Sequence, residues 1–407
     1  MLNLIPNIFS EKSQIIVGLE LGTSKVTVIV GELTESGTLS IIGEGQVESR
    51  GVQKGELVDF EKAGEDIRKA LVAAEKAADV EIGSVYLGVT GAHLQCLNNR
   101  GLLRIDSADH EITQDDVQEV LRNARSFARP TENTVLHAVR QLFTVDGQGG
   151  IPNPVGMKGS RLELDVHVVH GVTNRLQNPA AAVRELGIDI EELVFSGLAS
   201  SLAALSPEQK EMGALVIDMG AGATEFVVYT GGVVRHTGVI AVGGQHVTND
   251  LSYGLKVSPG RAEELKLRHG TAWPTGNAKG RLVGLDGDIN ASSKRVNLDH
   301  LQRIMHARLE ETFEFIDKEI DELGLHDQMR AGVVLTGGGA RVSGIERLAS
   351  DVFDLDATVE MAVNVNGERG ILESPENATA IGLVNYAAIR LRSQQRRGFF
   401  SAKPVAA

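Results

Sequence analysis

The chain has 407 residues, 42% of them apolar and 23% charged, a composition that predicts a soluble protein with two or more buried cores. Its net charge of −14 argues against a nucleic-acid partner, because contact with phosphate backbones needs a concentrated basic surface. A single cysteine, Cys96, excludes an intramolecular disulfide framework and suits a reducing cytoplasm. A lone cysteine is more typical of a small core residue than of a nucleophile.

The first 14 residues form a separate N-terminal tail with no positively charged region of the kind that begins a secretory signal. If residues 1–10 are helical, Leu2, Ile5 and Phe9 lie on one face. Pro6 is tolerated only because it falls in the first turns. The segment is therefore predicted to be an amphipathic anchor, with a disordered tail as the alternative.

A strand–glycine turn–strand pattern occurs twice along the chain. Residues 15–30 carry Glu20 at the end of an apolar strand, two residues before Gly22, and residues 214–229 place Asp218 before Gly220 in the same way. The repeat predicts two related α/β domains that face one another across a cleft. The first core subdomain is assigned to residues 15–83 and 167–212, and the second to residues 213–246 and 324–390.

Residues 84–166 are predicted to be a small α+β subdomain inserted into the first half. A helix is expected between His110 and Phe127, with Thr113 as its cap, and residues 161–170 alternate as a strand. A loop rich in Gly and Pro, residues 147–159, joins two strands. The histidines at 137, 167 and 170 are interpreted as strand-face residues rather than as a metal site.

Residues 247–323 are predicted to be a smaller subdomain of the second half. Residues 249–270 have a helical pattern, residues 271–294 are rich in turns, and residues 299–323 predict a long amphipathic helix. A third glycine turn, residues 337–339, follows an apolar strand.

Glycine turns after buried strands can cradle phosphate groups, because their bare N–H groups bind oxygen and glycine permits close approach. Lys25 adds a cation for the outer phosphates, and Glu20 and Asp218 could hold a hydrated Mg²⁺ through its waters, so no direct metal ligand is predicted. The predicted phosphate-binding residues lie in the first two turns: Gly22, Thr23, Ser24, Lys25, Gly220, Ala221, Gly222, Ala223 and Thr224.

Glu263 and Lys266 are three residues apart on a predicted helix, so both could reach one edge of a ligand such as a ribose. From spacing alone, a solvent-exposed ion pair is the favoured alternative.

The chain resembles the FtsA family of bacterial cell-division proteins, within the actin-like ATPases, from about residue 15 to 390. Residues 18–26, 218–225 and 335–340 look like the two phosphate loops and the adenosine loop of actin-like ATPases. Residues 242–250, 262–266 and 307–311, and the segment 146–159 of the insert, resemble FtsA more narrowly. The resemblance implies an actin-like duplicated fold with an FtsA-type insert, and it favours a nucleoside role for Glu263 and Lys266. The nucleoside-binding residues that it implies are Gly243, Glu263, Lys266, Gly337, Gly338, Gly339 and Arg341.

Four departures from the family pattern bear on chemistry. Glu20 and Glu225 stand where Asp is usual, Ala221 replaces a glycine, and residues 195–200 lack a carboxylate that some relatives carry. Without that carboxylate there is no obvious base to orient an attacking water. We therefore expect ATP and Mg²⁺ to bind, with weak or no hydrolysis.

The function implied by the resemblance is an ATP-dependent filament that links the FtsZ ring to the inner face of the cytoplasmic membrane. The implied partners are other copies of the chain, the C-terminal peptide of FtsZ, further division proteins at the insert, and an anionic membrane surface. A small-molecule kinase of the same superfamily and a pilus-assembly adaptor of related fold are the alternatives. The basic tail, residues 391–407, is a second candidate for membrane contact.

An acidic and apolar FtsZ peptide would need basic groups beside a groove. Lys294, Arg295 and Arg303 supply such groups near the start of the long helix. If Arg295 and Arg303 are both helical, they lie within about 80° of one face, which His306 continues. A solvated helix face and a contact with a neighbouring protomer are the alternatives.

Overall fold

A computed structural model of the chain describes residues 13–128, 130–284, 295–363 and 365–401. The predicted anchor at residues 1–10, Lys294 and the end of the basic tail after Ser401 lie outside the described residues.

The described residues form strands and helices in the following order. The first half contains β1 (Ser13–Leu21), β2 (Lys25–Thr34), β3 (Leu39–Glu48), β4 (Val52–Gln53), β5 (Glu56–Leu57), α1 (Phe60–Ala78), β6 (Ser84–Val89), β7 (Gln95–Arg104), α2 (Gln114–Arg125), β8 (Asn133–Val145), β9 (Gln148–Ile151), β10 (Arg161–Val172), α3 (Thr173–Arg184), β11 (Asp189–Phe195), α4 (Ser196–Ala204) and α5 (Pro207–Met212). The second half contains β12 (Ala214–Met219), β13 (Thr224–Thr230), β14 (Val233–Ile240), α6 (Gly244–Leu255), α7 (Pro259–His269), β15 (Leu282–Gly284), β16 (Arg295–Asn297), α8 (Leu298–Glu322), β17 (Val333–Thr336), α9 (Ile345–Phe353), β18 (Ala357–Val359), α10 (Arg369–Leu372) and α11 (Ala378–Ser401).

Two five-stranded sheets have the same topology. The first has the order β11-β6-β1-β2-β3 and the second β18-β17-β12-β13-β14. In each, a three-stranded antiparallel meander (β1-β2-β3 or β12-β13-β14) joins parallel strands on its other side. The strands at the centre are apolar runs buried on both faces, as expected for sheets covered by helices. The duplicated α/β fold predicted from the repeated pattern is confirmed.

Two helices cross between the sheets. α11 packs along β1, β2 and β6 of the first sheet, and α4 contacts both β11 and β12. The two helices touch at Gly382, where a Cβ would overlap the carbonyl of Ala199. This close approach holds α11 and α4 together behind the space between the sheets.

The insert is a four-stranded sheet with the order β7-β10-β8-β9, and α2 packs against β7 and β10. Thr113 caps α2 in a capping box with Asp116, as the sequence predicts. The predicted limits of the insert, 84 and 166, are both too early. β6 pairs with β1 in the first core sheet, and β10 continues within the insert to Val172. Alternation of side chains predicts a strand but not the sheet that it joins, which explains the error.

The smaller subdomain consists of α6, α7, the β15–β16 hairpin and α8, and it shares its core with the second sheet. The long helix is confirmed, and its buried stripe includes Leu301, Met305, Leu309, Phe313, Ile316 and Ile320. In the described parts of the chain, no helix has the length and apolar character needed to cross a bilayer.

Candidate functional site

A cavity of about 780 Å³ lies between the two sheets and the smaller subdomain, a size typical of small-molecule and cofactor sites. Its walls include the turns that follow β1, β12 and β17. β1 and β12 are the central strands of the two sheets, and β17 is the parallel neighbour of β12, so glycine turns that are far apart in sequence meet at one place.

The first two turns come into contact across the cavity. A Cβ at Gly222 would overlap the hydroxyl of Thr23, so this position of the second turn requires glycine. The Thr23 hydroxyl also accepts a hydrogen bond from the Gly55 amide at 2.9 Å. The N–H groups and hydroxyls of the two turns can therefore surround one anionic group.

Three carboxylates occupy the base of the cavity: Glu20, Asp218 and Glu225. Burial, with the nearby charge of Asp218, raises the pKa of Glu20 to about 8. Burial and Asp218 likewise raise the pKa of Glu225 to about 8, and the hydroxyl of Thr90 donates to Glu225 from the other domain. Glu20 Oε2 is buried and has no hydrogen-bond partner among the described residues. Such an oxygen is costly to bury unless a bound cation or its water satisfies it.

Lys25, the first residue of β2 after the first glycine turn, also lines the cavity. Burial lowers the pKa of its ammonium, while the charge of Glu20 opposes that effect. Its Nζ donates to Asn377 Oδ1 at 3.0 Å. Among the described residues, Lys25 forms no ion pair, so its charge is available to an anionic ligand.

The smaller subdomain contributes Glu263 and Lys266 to the opposite wall. Their side chains form an ion pair at 2.7 Å, and both also hydrogen-bond the hydroxyl of Thr248. Lys266 further donates to the carbonyl of Gly244 at 3.1 Å. The sequence leaves open whether Glu263 and Lys266 face a ligand or only form an ion pair with each other. In the structure they form the ion pair and also line the cavity. Gly243 lines the cavity and packs against the second glycine turn.

The third turn contains two glycines that the fold requires, Gly337 and Gly339, and one that faces open space. A Cβ at Gly339 would overlap Met219. Gly337 has φ +81°, and a Cβ there would overlap Asp218 Oδ1. A Cβ at Gly338 would meet only Glu376, at 3.9 Å. Arg341 follows the turn and pairs with Glu376 at 2.5 Å. Gly338 therefore leaves room for a ligand, although neither its backbone conformation nor its packing requires a glycine.

Every residue predicted to contact phosphate, magnesium or nucleoside lines this one cavity. The structure adds wall residues that the sequence reasoning missed or gave no role: Thr90, Ser196, Glu225, Arg308, Glu376 and Thr379. Glu225 could have been found, since it follows the second turn on a buried strand. Ser196 and Arg308 lie in segments that the sequence singles out, residues 195–200 and 307–311, but without a role for these side chains. Thr90, Glu376 and Thr379 carry no local signal.

The predicted helical face for the FtsZ peptide is wrong in part. Arg295 lies in β16, since the helix begins only at Leu298. Arg303 is on the helix, exposed, and paired with Asp299 at 3.0 Å. His306 hydrogen-bonds the carbonyl of Ala272 at 2.8 Å, so it does not extend a free basic face. Asn297 caps the helix with its side chain, which is why the helix does not extend back to Arg295.

A second polar cluster lies where the insert meets β14. The thiol of Cys96 donates to the Thr237 carbonyl at 3.0 Å and lies 3.5 Å from Nδ1 of His236, whose Nε2 is 2.7 Å from Glu319. Burial would raise the pKa of Cys96, but hydrogen bonds from His167 and His236 lower it to about 5. The half-buried cysteine therefore takes part in a polar contact between the insert and the second sheet. Among the described residues, no group of three or more His, Cys, Asp or Glu side chains is arranged to hold a metal.

Two family models match the chain. Residues 215–382 match the model described as cell division protein FtsA, and residues 91–170 match the SHS2 domain inserted in FtsA. The second match covers the four-stranded insert.

Curated relatives align over nearly their whole length. The chain is 36% identical over 386 residues to the cell division protein FtsA of Escherichia coli K12, which covers 92% of this chain and 90% of that protein. It is 33% identical to FtsA of Pseudomonas aeruginosa, with 92% and 90% covered, and 36% identical to FtsA of Borreliella burgdorferi, with 91% and 90% covered.

Solved structures of lower identity share the fold. A PilM–PilN type IV pilus biogenesis complex superposes with a TM-score of 0.65 at 16% identity, with 92% of this chain and 98% of that chain covered. MreB5 of Spiroplasma citri bound to ADP gives a TM-score of 0.55 at 13% identity, with 94% and 98% covered. These likenesses show an actin-like fold and nothing about activity.

Proposed function

The chain belongs to the FtsA family of cell division proteins, and on that premise we propose that it binds ATP with Mg²⁺ in the cleft, polymerises, and tethers the FtsZ ring to the cytoplasmic membrane. The observation that carries the nucleotide part is the convergence of three glycine turns on one cavity of about 780 Å³. Family membership supports the role in division.

The residues at the base of the cavity suit a nucleotide with its metal. The first two turns would hold the phosphates, with the Lys25 charge beside them. Glu20 and Asp218 would hold the metal through its waters, which would satisfy the partnerless Oε2 of Glu20. Bound Mg²⁺ would supply positive charge to the phosphate oxygens. Glu263 and Lys266 would contact the ribose, beside the space at Gly338.

Weak hydrolysis follows from how the remaining carboxylate is used. Residues 195–200 carry no acid, and Ser196 lines the cavity in their place. Glu225 is the carboxylate left to orient a water, but it already accepts the hydroxyl of Thr90. That hydrogen bond occupies one lone pair of the carboxylate and favours its ionised form, which weakens it as a base.

The tether and its partners are inferred from the family alone. We propose that the N-terminal segment and the basic tail contact anionic lipid at the inner face of the membrane, and that the insert binds further division proteins. The FtsZ peptide is assigned to the smaller subdomain near Arg303. The pilus-adaptor alternative is less well supported, since the likeness to PilM is at 16% identity and shows the fold only.

Sedimentation with anionic liposomes, with and without ATP and Mg²⁺, followed by electron microscopy of the pellet, tests the proposal. We expect filaments on the liposomes with ATP, few without it, and phosphate release far below an ordinary enzyme rate of about 10 per second. Turnover at that rate would contradict the weak hydrolysis. Absence of ATP binding by calorimetry would overturn the nucleotide assignment itself.

A further inference from the structure

A short segment that no sequence motif marks contacts residues at all three glycine turns. It comprises Glu376, Asn377 and Thr379, where the 3₁₀ turn Pro375–Asn377 leads into α11. Each of these side chains bonds a residue at a different turn. Asn377 accepts from Lys25 at 3.0 Å, Thr379 donates to Asp218 Oδ2 at 2.8 Å, and Glu376 accepts from Arg341 at 2.5 Å.

We propose that Asn377 and Thr379 are positioning residues for the bound nucleotide: Asn377 aims the Lys25 ammonium at the outer phosphates, and Thr379 fixes the Asp218 carboxylate toward the metal's waters. This inference rests on the proposed binding of ATP and Mg²⁺. It adds residues outside the glycine turns to that site.

Asn377 is held at both ends of its amide. The side chain is 2% exposed, and its Nδ2 donates to Glu44 at 2.9 Å and to the carbonyl of Ile371 at 3.2 Å. These two bonds fix the amide so that Oδ1 faces Lys25. An amide oxygen orients an ammonium without neutralising its charge, whereas a carboxylate would compete with the phosphate. The residue type therefore matches a lysine that must attract an anion.

Thr379 acts on the other side of the cavity. Its hydroxyl is buried, at 4% exposure, and donates to one oxygen of Asp218. That bond fixes the rotation of the carboxylate, so the second oxygen, beside Gly337, keeps a set direction. Outer groups that orient a carboxylate commonly change metal affinity by about 10- to 100-fold when removed.

The placement of the segment explains why it can serve both domains. α11 packs along β1 and β2, so its first turn is anchored to the first sheet. Asp218 belongs to β12 of the second sheet. One rigid helix start therefore sets two groups that must face a single ligand across the cleft.

The test measures ATP affinity in saturating Mg²⁺ and in EDTA. It also measures the Mg²⁺ midpoint, the Mg²⁺ concentration that gives half of the full increase in ATP affinity. Thr379→Val removes the hydroxyl and keeps the shape of the side chain. We therefore expect at least a tenfold rise in the Mg²⁺ midpoint and less than a twofold change in the ATP affinity measured in EDTA. Thr379→Ser keeps the donor and should restore the parent midpoint. Asn377→Ala should lower the ATP affinity at least tenfold in both conditions. Asn377→Asp should have the same effect, because the charge of the aspartate would neutralise Lys25.

Thr237→Val is the matched control. Thr237 is buried, at 5% exposure, and its hydroxyl hydrogen-bonds Nε2 of His167 at 2.9 Å, in the contact between the insert and β14 and not in the cavity wall. We expect it to lower stability without moving either binding constant. Parent-like Mg²⁺ midpoints and affinities in Thr379→Val and Asn377→Asp would overturn the inference, as would an equal effect of Thr237→Val. A parent protein that does not bind ATP would instead refute the proposed function, and the inference with it.

Discussion

Substitution of Gly338 by leucine separates ligand binding from folding at the third glycine turn. The backbone at Gly338 does not need positive φ, and the new Cβ would meet only Glu376, at 3.9 Å. The side chain would therefore extend into the cavity, where we place the nucleoside. We expect the free energy of unfolding to change by no more than about 0.5 kcal/mol, as for a surface substitution.

The loss of binding can be estimated from the contact that the leucine would displace. Burying one large apolar group is worth about 1.5–3 kcal/mol, and each 1.4 kcal/mol is tenfold in affinity. Displacement of the adenine ring should therefore lower the affinity for ATP by roughly 10- to 150-fold. Calorimetric titration of ATP and Mg²⁺ measures this, and urea unfolding of the same samples measures stability.

Gly337→Ala is the matched comparison one residue earlier. Gly337 combines φ +81° with ψ 172°, a region that is essentially restricted to glycine, and its Cβ would overlap Asp218. We expect a loss of at least about 1–3 kcal/mol in unfolding free energy, together with weaker binding. If Gly338→Leu binds ATP as the parent does, the nucleoside lies elsewhere and the reasoning is refuted.

The remaining predictions concern other surfaces. The pKa of Cys96, the only cysteine, is expected to be about 5, so thiolate absorbance should be present near neutral pH and should disappear as the pH falls through about 5. His236→Gln should move the titration midpoint up toward about 8.5, and a midpoint near 8.5 in the parent would contradict the lowered pKa. Arg303→Glu should lower the affinity for an FtsZ tail peptide at least tenfold, about 1.4 kcal/mol, and leave ATP binding unchanged. The same charge reversal at the exposed Arg369 should not change the peptide affinity. Equal peptide affinity in the parent and in Arg303→Glu would place the peptide elsewhere. Deleting residues 1–10 should reduce sedimentation with anionic liposomes at least as much as deleting the last dozen residues, and the reverse result would assign the anchor to the tail.

The features that could be predicted from sequence are those set by short stretches of chain. The strand–turn–strand repeats, the capped helix at Thr113 and the stripe of α8 each depend on residues within a few positions of one another. The three glycine turns were likewise visible as local patterns. Their convergence was predicted because the repeat implied two similar domains, and the shared cavity is consistent with that prediction.

Other features were decided only by the tertiary structure. β6 joins the first sheet and not the insert, and Arg295 lies in a strand because Asn297 begins the helix after it. Asn377 and Thr379 reach Lys25 and Asp218 over separations of 352 and 161 residues. Neither residue has a local pattern that indicates a partner. Sheet pairing and side-chain hydrogen bonds depend on which segments folding brings together, whereas helix periodicity and turn chemistry are properties of the local chain.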